Sequence, residues 1–157
     1  MNTFNSVAPT LAGPRIMQQD WNRISFVHWA VDPDLVAPLL PPRTRPDVLD
    51  GATYVGLIPF DMQRAGFGRG PAVPFFGDFA ETNVRLYSVD AEGHHGVVFR
   101  SLETTRLAVA IGARLAFATP YTWARMRIEE SDDTIEYTTR RRWPRPRGAG
   151  GRMRVRV

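Results

Sequence analysis

The segment Phe79-Ala80-Glu81-Thr82-Asn83-Val84-Arg85-Leu86-Tyr87 carries the densest chemistry in the chain. On an extended strand its period of two places Glu81, Asn83, Arg85 and Tyr87 on one face and Thr82, Val84 and Leu86 on the other. A carboxylate, an amide, a guanidinium and a phenol in one row suit a small polar ligand if the row looks into a closed sheet. If the row looks out, it is the wet face of a half-buried strand; periodicity alone leaves both open. Arg114 lies inside the apolar run Leu107 to Phe117. Its guanidinium either snorkels to water or is buried against an acid, with Glu81 or Glu103 as the natural bidentate partner. That pair would be a structural ion pair or a substrate clamp. His28, between Val27 and Trp29, reads as a hydrogen-bonded imidazole, and a general-base role has no support in the pattern. His94 and His95 point to opposite sides of an extended chain and have no helical chelating neighbour, so no metal site is expected.

Several chemistries are excluded by what the sequence lacks. There is no Cys, which removes thiolate nucleophiles, disulfides and sulfur-ligated metals. Gly66-Phe67-Gly68-Arg69-Gly70 does not join a strand to a helix and is followed by Pro71, so it is no dinucleotide fingerprint, and no Walker lysine or Gly-x-Ser-x-Gly elbow occurs. No cofactor is expected. All 20 basic side chains are Arg, and the chain has no Lys.

The elements that must position these groups are mainly strands. Thirteen Gly and 13 Pro in 157 residues break long helices and favour strands joined by turns. The pattern predicts strands over residues 23–29, 52–60, 79–89, 95–102, 124–129 and 134–140, with turns at Asp50-Gly51, at Asp90 to Gly93 and at Glu130 to Asp133. Asp32 and Pro33 start a short helix that reaches Leu39. A second helix, over 104–118, is apolar enough to be mostly buried. Residues 61–78 are predicted to form a long loop of the kind that serves as a lid. The domain division is a flexible leader (1–16), a domain (17–142), and an Arg-rich tail or the start of a missing strand (143–157).

Charge separates along the chain. Residues 1–139 hold 12 Arg and all 16 acids, a net of −4, whereas 140–157 hold 8 Arg and no acid. That Arg-rich end, with Trp143 for stacking, makes nucleic-acid binding the alternative function. No uncharged apolar run approaches the ~20 residues of a membrane span, and no export signal is visible at the start, so the expected location is cytoplasmic with no membrane partner.

Several motifs together resemble a known family: Phe26-x-His28-Trp29, Asp50-Gly51, Pro59-Phe60, the Glu81 row, Ser101-Leu102-Glu103, and Ala113-Arg114-x-x-Phe117-x-x-Pro120-Tyr121. From about Gln19 to Arg142 the chain resembles the YqjF-like proteins of unknown function in the acetoacetate-decarboxylase-like superfamily. The resemblance implies an α+β, β-rich fold. It is a cone or barrel of mainly antiparallel strands with a few flanking helices, and the Glu81 row would face its polar cavity. The expected ligand is a carboxylate- or carbonyl-bearing small molecule, held by His28, Glu81, Asn83, Arg85, Tyr87, Arg114 and Tyr121. Decarboxylases of that superfamily carry an Arg-x5-Pro-Lys-Lys element whose amine forms a Schiff base. Here Arg114 and Pro120 keep the spacing, but Tyr121 and Thr122 occupy the lysine positions, so imine chemistry is not expected. The resembling proteins also continue past residue 157. The expectation is therefore a barrel incomplete at its C-terminus, with an open edge that favours self-association or leaves a non-functional domain.

Overall fold

In the computed structural model, which describes residues 13–157, the alternating segments form one mixed sheet. Its strands are β1 (Met17–Asn22), β2 (Val27–Val31), β3 (Thr44–Pro46), β4 (Thr53–Phe67), β5 (Phe79–Asp90), β6 (His95–Thr104), β7 (Tyr121–Ser131), β8 (Thr134–Trp143) and β9 (Gly150–Arg156). Helix α1 (Pro33–Val36), continued by a 3₁₀ turn (Ala37–Leu39), follows β2, and α2 (Leu107–Phe117) joins β6 to β7. The spatial order is β1-β4-β5-β6-β7-β8-β9, with β2 also on β4 and β3 on β5. Every pair is antiparallel except β6–β7, where the α2 crossover returns the chain in the same direction. Residues 1–12 of the expected leader lie outside the described residues.

Local signals explain the joints. The Asp32 side chain accepts from Asp34 N at 2.9 Å, and Pro33 takes the first helical position. Asp50 (φ 52°) and Gly51 (φ 82°) make the left-handed turn that joins Leu49 to Ala52. At the β5–β6 turn, Asp90 Oδ1 accepts from the backbone N–H of Glu92 and of His94.

Register assigns each side chain to a face, because directly paired residues point the same way and their chain neighbours point oppositely. Phe60, Glu81 and Thr104 pair across β4, β5 and β6 and share the first face; Pro59, Thr82, Glu103 and Thr122 share the second. The first face holds the apolar core of Ile58, Phe60, Met62 and Phe79, capped by Val109 of α2, Ile24 and Ala65. The sheet curls around the second face. Tyr137 of β8 donates to the Arg23 carbonyl at 2.6 Å and lies 2.9 Å from Ser25 Oγ. The connection between β1 and β2 is thereby drawn against β8. Among the described residues no pairing joins β9 back to β1 or β2, so the sheet is not closed.

Three expectations need correction. Residues 61–67 are strand, not loop: β4 continues to Phe67 because β1 pairs along it, with Trp21 opposite Met62, and long-range pairing overrides the Gly-rich composition. What remains of the loop is tied down by Gly77 N to Val73 O (2.7 Å) and Ala65 N to Gly77 O (3.0 Å), so it is no free lid. Helix α2 is largely exposed. Only Ala110 is buried, while Leu115 is 83% and Phe117 60% accessible, because the sheet covers a single stripe of a helix that is apolar on all sides. Finally, the strand predicted over residues 23–29 begins only at Val27. Residues 23–25 turn the chain instead, with Arg23 at φ 47° and Ser25 bonded to Pro59 O.

Candidate functional site

The alternation of β5 and its pairing with β4 and β6 place Glu81, Asn83, Arg85 and Tyr87 together on the first face. Burial falls along the row. Glu81 is 3% and Asn83 4% accessible, whereas Arg85 and Tyr87 are half-buried. The inner end is therefore dry and the outer end reaches water.

At the inner end Tyr121, first residue of β7, donates its hydroxyl to Glu81 Oε2 at 2.9 Å. Burial pushes the Glu81 carboxyl up to about 7, against the opposing pull of hydrogen bonds from Tyr121 and Asn83. Burial, then the neighbouring Glu81 charge and hydrogen bond, raises the Tyr121 phenol, which stays a donor. Asn83 Oδ1 is buried and accepts no hydrogen bond. The inner end thus combines a carboxyl that exchanges a proton near neutrality, a fixed phenol donor and an open amide acceptor.

At the outer end Arg85 Nε donates to Tyr87 Oη at 2.7 Å, and Tyr87 Oη lies 2.6 Å from His28 Nε2. Tyr87 Oη thus links the guanidinium to the imidazole in one chain of hydrogen bonds. Partial burial, then the Arg85 charge, holds His28 below its ordinary range and so favours the neutral ring. Gly56 of β4 makes room for this meeting: a Cβ there would lie 3.0 Å from Tyr87 Oη and 3.2 Å from His28 Nε2. The Arg85 Cζ lies 5.4 and 5.1 Å from the ring centres of Phe26 and Tyr87, and its two terminal nitrogens make no hydrogen bond among the described residues.

Arg114 is exposed and forms no ion pair with Glu81 or Glu103. From the last turn of α2 its Nη1 donates to the Tyr121 carbonyl at 2.8 Å, and its Cζ lies 5.4 Å from the Trp143 ring centre. It positions the strand that carries Tyr121. Glu103 is taken instead by Arg141, whose Nε and Nη2 donate to Oε1 at 3.1 and 2.9 Å, while Thr139 donates to Oε2. Tyr121 faces Glu81, and Thr122 is buried on the second face with its hydroxyl unpartnered.

Glu103 and Arg141 floor a hollow of about 300 Å³ on the second face, also lined by Leu57, Thr82, Val84 and Tyr137. The expectation that the Glu81 row lines the hollow is not met here: the alternate residues Thr82 and Val84 reach it. At the β5–β6 turn, oxygen and nitrogen atoms of Asp90, Glu92 and His94 lie within 4.8 Å of one another. His94 Nδ1 is 3.0 Å from Asp90 Oδ2, and the group is a hydrogen-bonded hairpin clamp. The sequence offered no sign of Tyr137 or Arg141 as site-building residues, since their partners lie far away in the chain. Among the described residues no helix is long and apolar enough to cross a membrane.

Comparison with known proteins agrees with this geometry at the level of fold. Acetoacetate decarboxylase from Legionella pneumophila superposes with a TM-score of 0.63 at 18% identity, over 88% of this chain and 56% of that one. The enduracididine biosynthesis enzyme MppR, in complex with the condensation product of pyruvate and imidazole 4-carboxaldehyde, gives 0.65 at 15% identity over 94% and 57%. An uncharacterized protein of Bacillus subtilis (strain 168), YqjF, is 33% identical over 127 residues, 81% of this chain and 52% of that one. The chain thus spans about half the length of these relatives. The family model described as "Uncharacterized conserved protein (COG2071)" matches residues 18–157, and the chain belongs to that family, DUF2071, with an acetoacetate-decarboxylase-like fold.

Proposed function

We propose that this chain is a small-molecule-binding domain whose ligand carries a carboxylate or carbonyl group and is held on the Glu81 face. The observation that carries the reading is the buried Glu81 carboxyl, pushed up to about 7 beside the Tyr121 donor and the unpartnered Asn83 Oδ1. A neutral Glu81, held in place by the Tyr121 hydroxyl, supplies a donor to a ligand oxygen, Asn83 supplies an acceptor, and Arg85 at the wetter end supplies a cation for an anionic group. His28 and Tyr87 hold Arg85 in place. Relatives of this fold include MppR in complex with pyruvate, which makes pyruvate a suitable probe.

Binding of a carboxylate here depends on pH. An ionised Glu81 repels a second carboxylate, so affinity for pyruvate falls as pH rises through about 7. Thermal-shift titration with pyruvate from acid to alkaline pH reads this directly. The wild-type protein gains melting temperature with pyruvate below neutrality and loses that gain above it. Glu81→Gln, which mimics the neutral acid, binds without the pH dependence, and Asn83→Ala or Arg85→Gln binds more weakly throughout. A melting temperature indifferent to pyruvate at every pH, or an unchanged pH profile in Glu81→Gln, contradicts the reading.

The ligand is not held as an imine, because the chain has no Lys, and Tyr121 and Thr122 stand at the two positions where the resembling decarboxylases carry lysines. Borohydride added with pyruvate should leave the intact mass unchanged, and a reduced adduct on a residue of the domain would overturn this point.

A further inference from the structure

A second feature stands apart from the Glu81 row. Between α2 and the β7–β8 pair runs an open groove of about 780 Å³, lined by Arg125, Arg140, Arg142, Arg147, Trp123 and Trp143, with Leu107 and Ile111 of α2 as an apolar wall. No acid lines it among the described residues. Arg141, which also borders it, is neutralised by Glu103, and the four other arginines have no carboxylate partner among the described residues. Arg125 and Arg140 are direct cross-strand partners, an arrangement of like charges that weakens a sheet unless something compensates it.

The aromatic rings arrange these cations. Arg142 Cζ lies 5.5 Å from the Trp123 ring centre and Arg114 Cζ 5.4 Å from that of Trp143. Arg114 is committed to the Tyr121 carbonyl, whereas the Arg142 side chain makes no hydrogen bond or ion pair among the described residues and keeps its N–H donors free for phosphate oxygens. The groove therefore offers uncompensated positive charge, free phosphate donors and an aromatic and aliphatic wall side by side.

We propose that this groove binds a nucleotide, with phosphates on Arg125, Arg140 and Arg142 and the base against the tryptophans and the α2 wall. The ligand is either a free nucleotide or a unit of a single strand, since both present phosphate beside a stacking base. The Arg-rich segment acts here as folded sheet: Arg140 to Arg142 belong to β8, so deleting residues 140–157 would remove the end of β8 and all of β9 and test folding instead of binding. Point substitutions test the groove.

Tryptophan fluorescence titrations of the full chain with ADP, tripolyphosphate and a short single-stranded oligonucleotide supply the measurement. ADP quenches saturably, and Arg125→Gln or Arg140→Gln weakens it about tenfold, as expected for one lost charge-assisted hydrogen bond. The same variants melt at an unchanged or higher temperature, because the like-charge pair is gone. Tripolyphosphate binds about tenfold more weakly than ADP, since it has no base to stack. Arg45→Gln, exposed on β3 far from the groove, leaves binding unchanged. An oligonucleotide that binds much more tightly and more salt-dependently than ADP marks the strand as the source, and equal affinities mark the free nucleotide. The proposal is overturned by absence of saturable quenching with ADP and oligonucleotide alike, by tripolyphosphate binding as tightly as ADP, or by Arg45→Gln weakening binding as much as Arg140→Gln.

Discussion

Glu81→Gln should stabilise the protein increasingly as pH rises, by about 2.5 kcal/mol more at about pH 8 than at about pH 5. The sign follows from proton counts. Between 4.5, the ordinary value that the unfolded chain retains, and about 7 in the fold, the native state binds more protons than the unfolded state. Stability attributable to this group therefore declines as pH rises through that window. Asp90 and Glu136 act in the opposite sense, since backbone hydrogen bonds from His94 first of all for Asp90, and Arg152 and Arg154 for Glu136, hold their carboxyls low. Those contributions are shared by wild type and variant and cancel in the difference. Urea unfolding of both proteins across that range supplies the measurement. Parallel stability profiles would mean that Glu81 ionises in the fold as it does in water. A buried carboxyl that costs stability at neutral pH is what a site retained for binding looks like, and the same burial is what tunes its proton to the working range.

The Glu103–Arg141 pair has a comparably large expected effect. Side-chain accessibility is 8% for Glu103 and 18% for Arg141, and Thr139 satisfies the second carboxylate oxygen. Arg141→Met leaves a buried carboxylate without its cation, with an expected loss of about 3–5 kcal/mol. The double substitution Glu103→Leu with Arg141→Met should recover most of that loss, because the pair itself stabilises little once its desolvation is counted. Chemical denaturation of the two single variants and the double variant forms a cycle. Strictly additive losses would show that the two groups are not coupled across β6 and β8. The pair also floors the hollow of the second face, so its removal tests what holds the curl of the sheet.

Local periodicity made much of the fold legible. The β5–β6 and β7–β8 hairpins lie where alternation and turn residues placed them, and the Asp32 cap and Asp50-Gly51 turn follow from short-range chemistry. The shared face of Glu81, Asn83, Arg85 and Tyr87 is likewise a property of period two. What periodicity cannot express is which face the curled sheet encloses. That depends on Tyr137 meeting Arg23 and Ser25 across more than a hundred residues, and it sends Thr82 and Val84 to the hollow. Arg114 illustrates the same limit: an arginine in an apolar run suggests a buried ion pair, yet the helix is covered on one stripe only and the guanidinium turns to a carbonyl and a tryptophan. Extension of β4 to Phe67 needed the partner strand β1, which no local signal in residues 61–67 announces.

The central claim is that Glu81 is a buried, proton-exchanging group that a small carboxylate contacts. Carbon-13 NMR titration of the Glu81 carboxyl, with and without pyruvate, tests it most directly. A midpoint near 7 in the free protein, moved upward by saturating pyruvate, is the predicted result. A midpoint at the ordinary 4.5, unmoved by pyruvate, would contradict it.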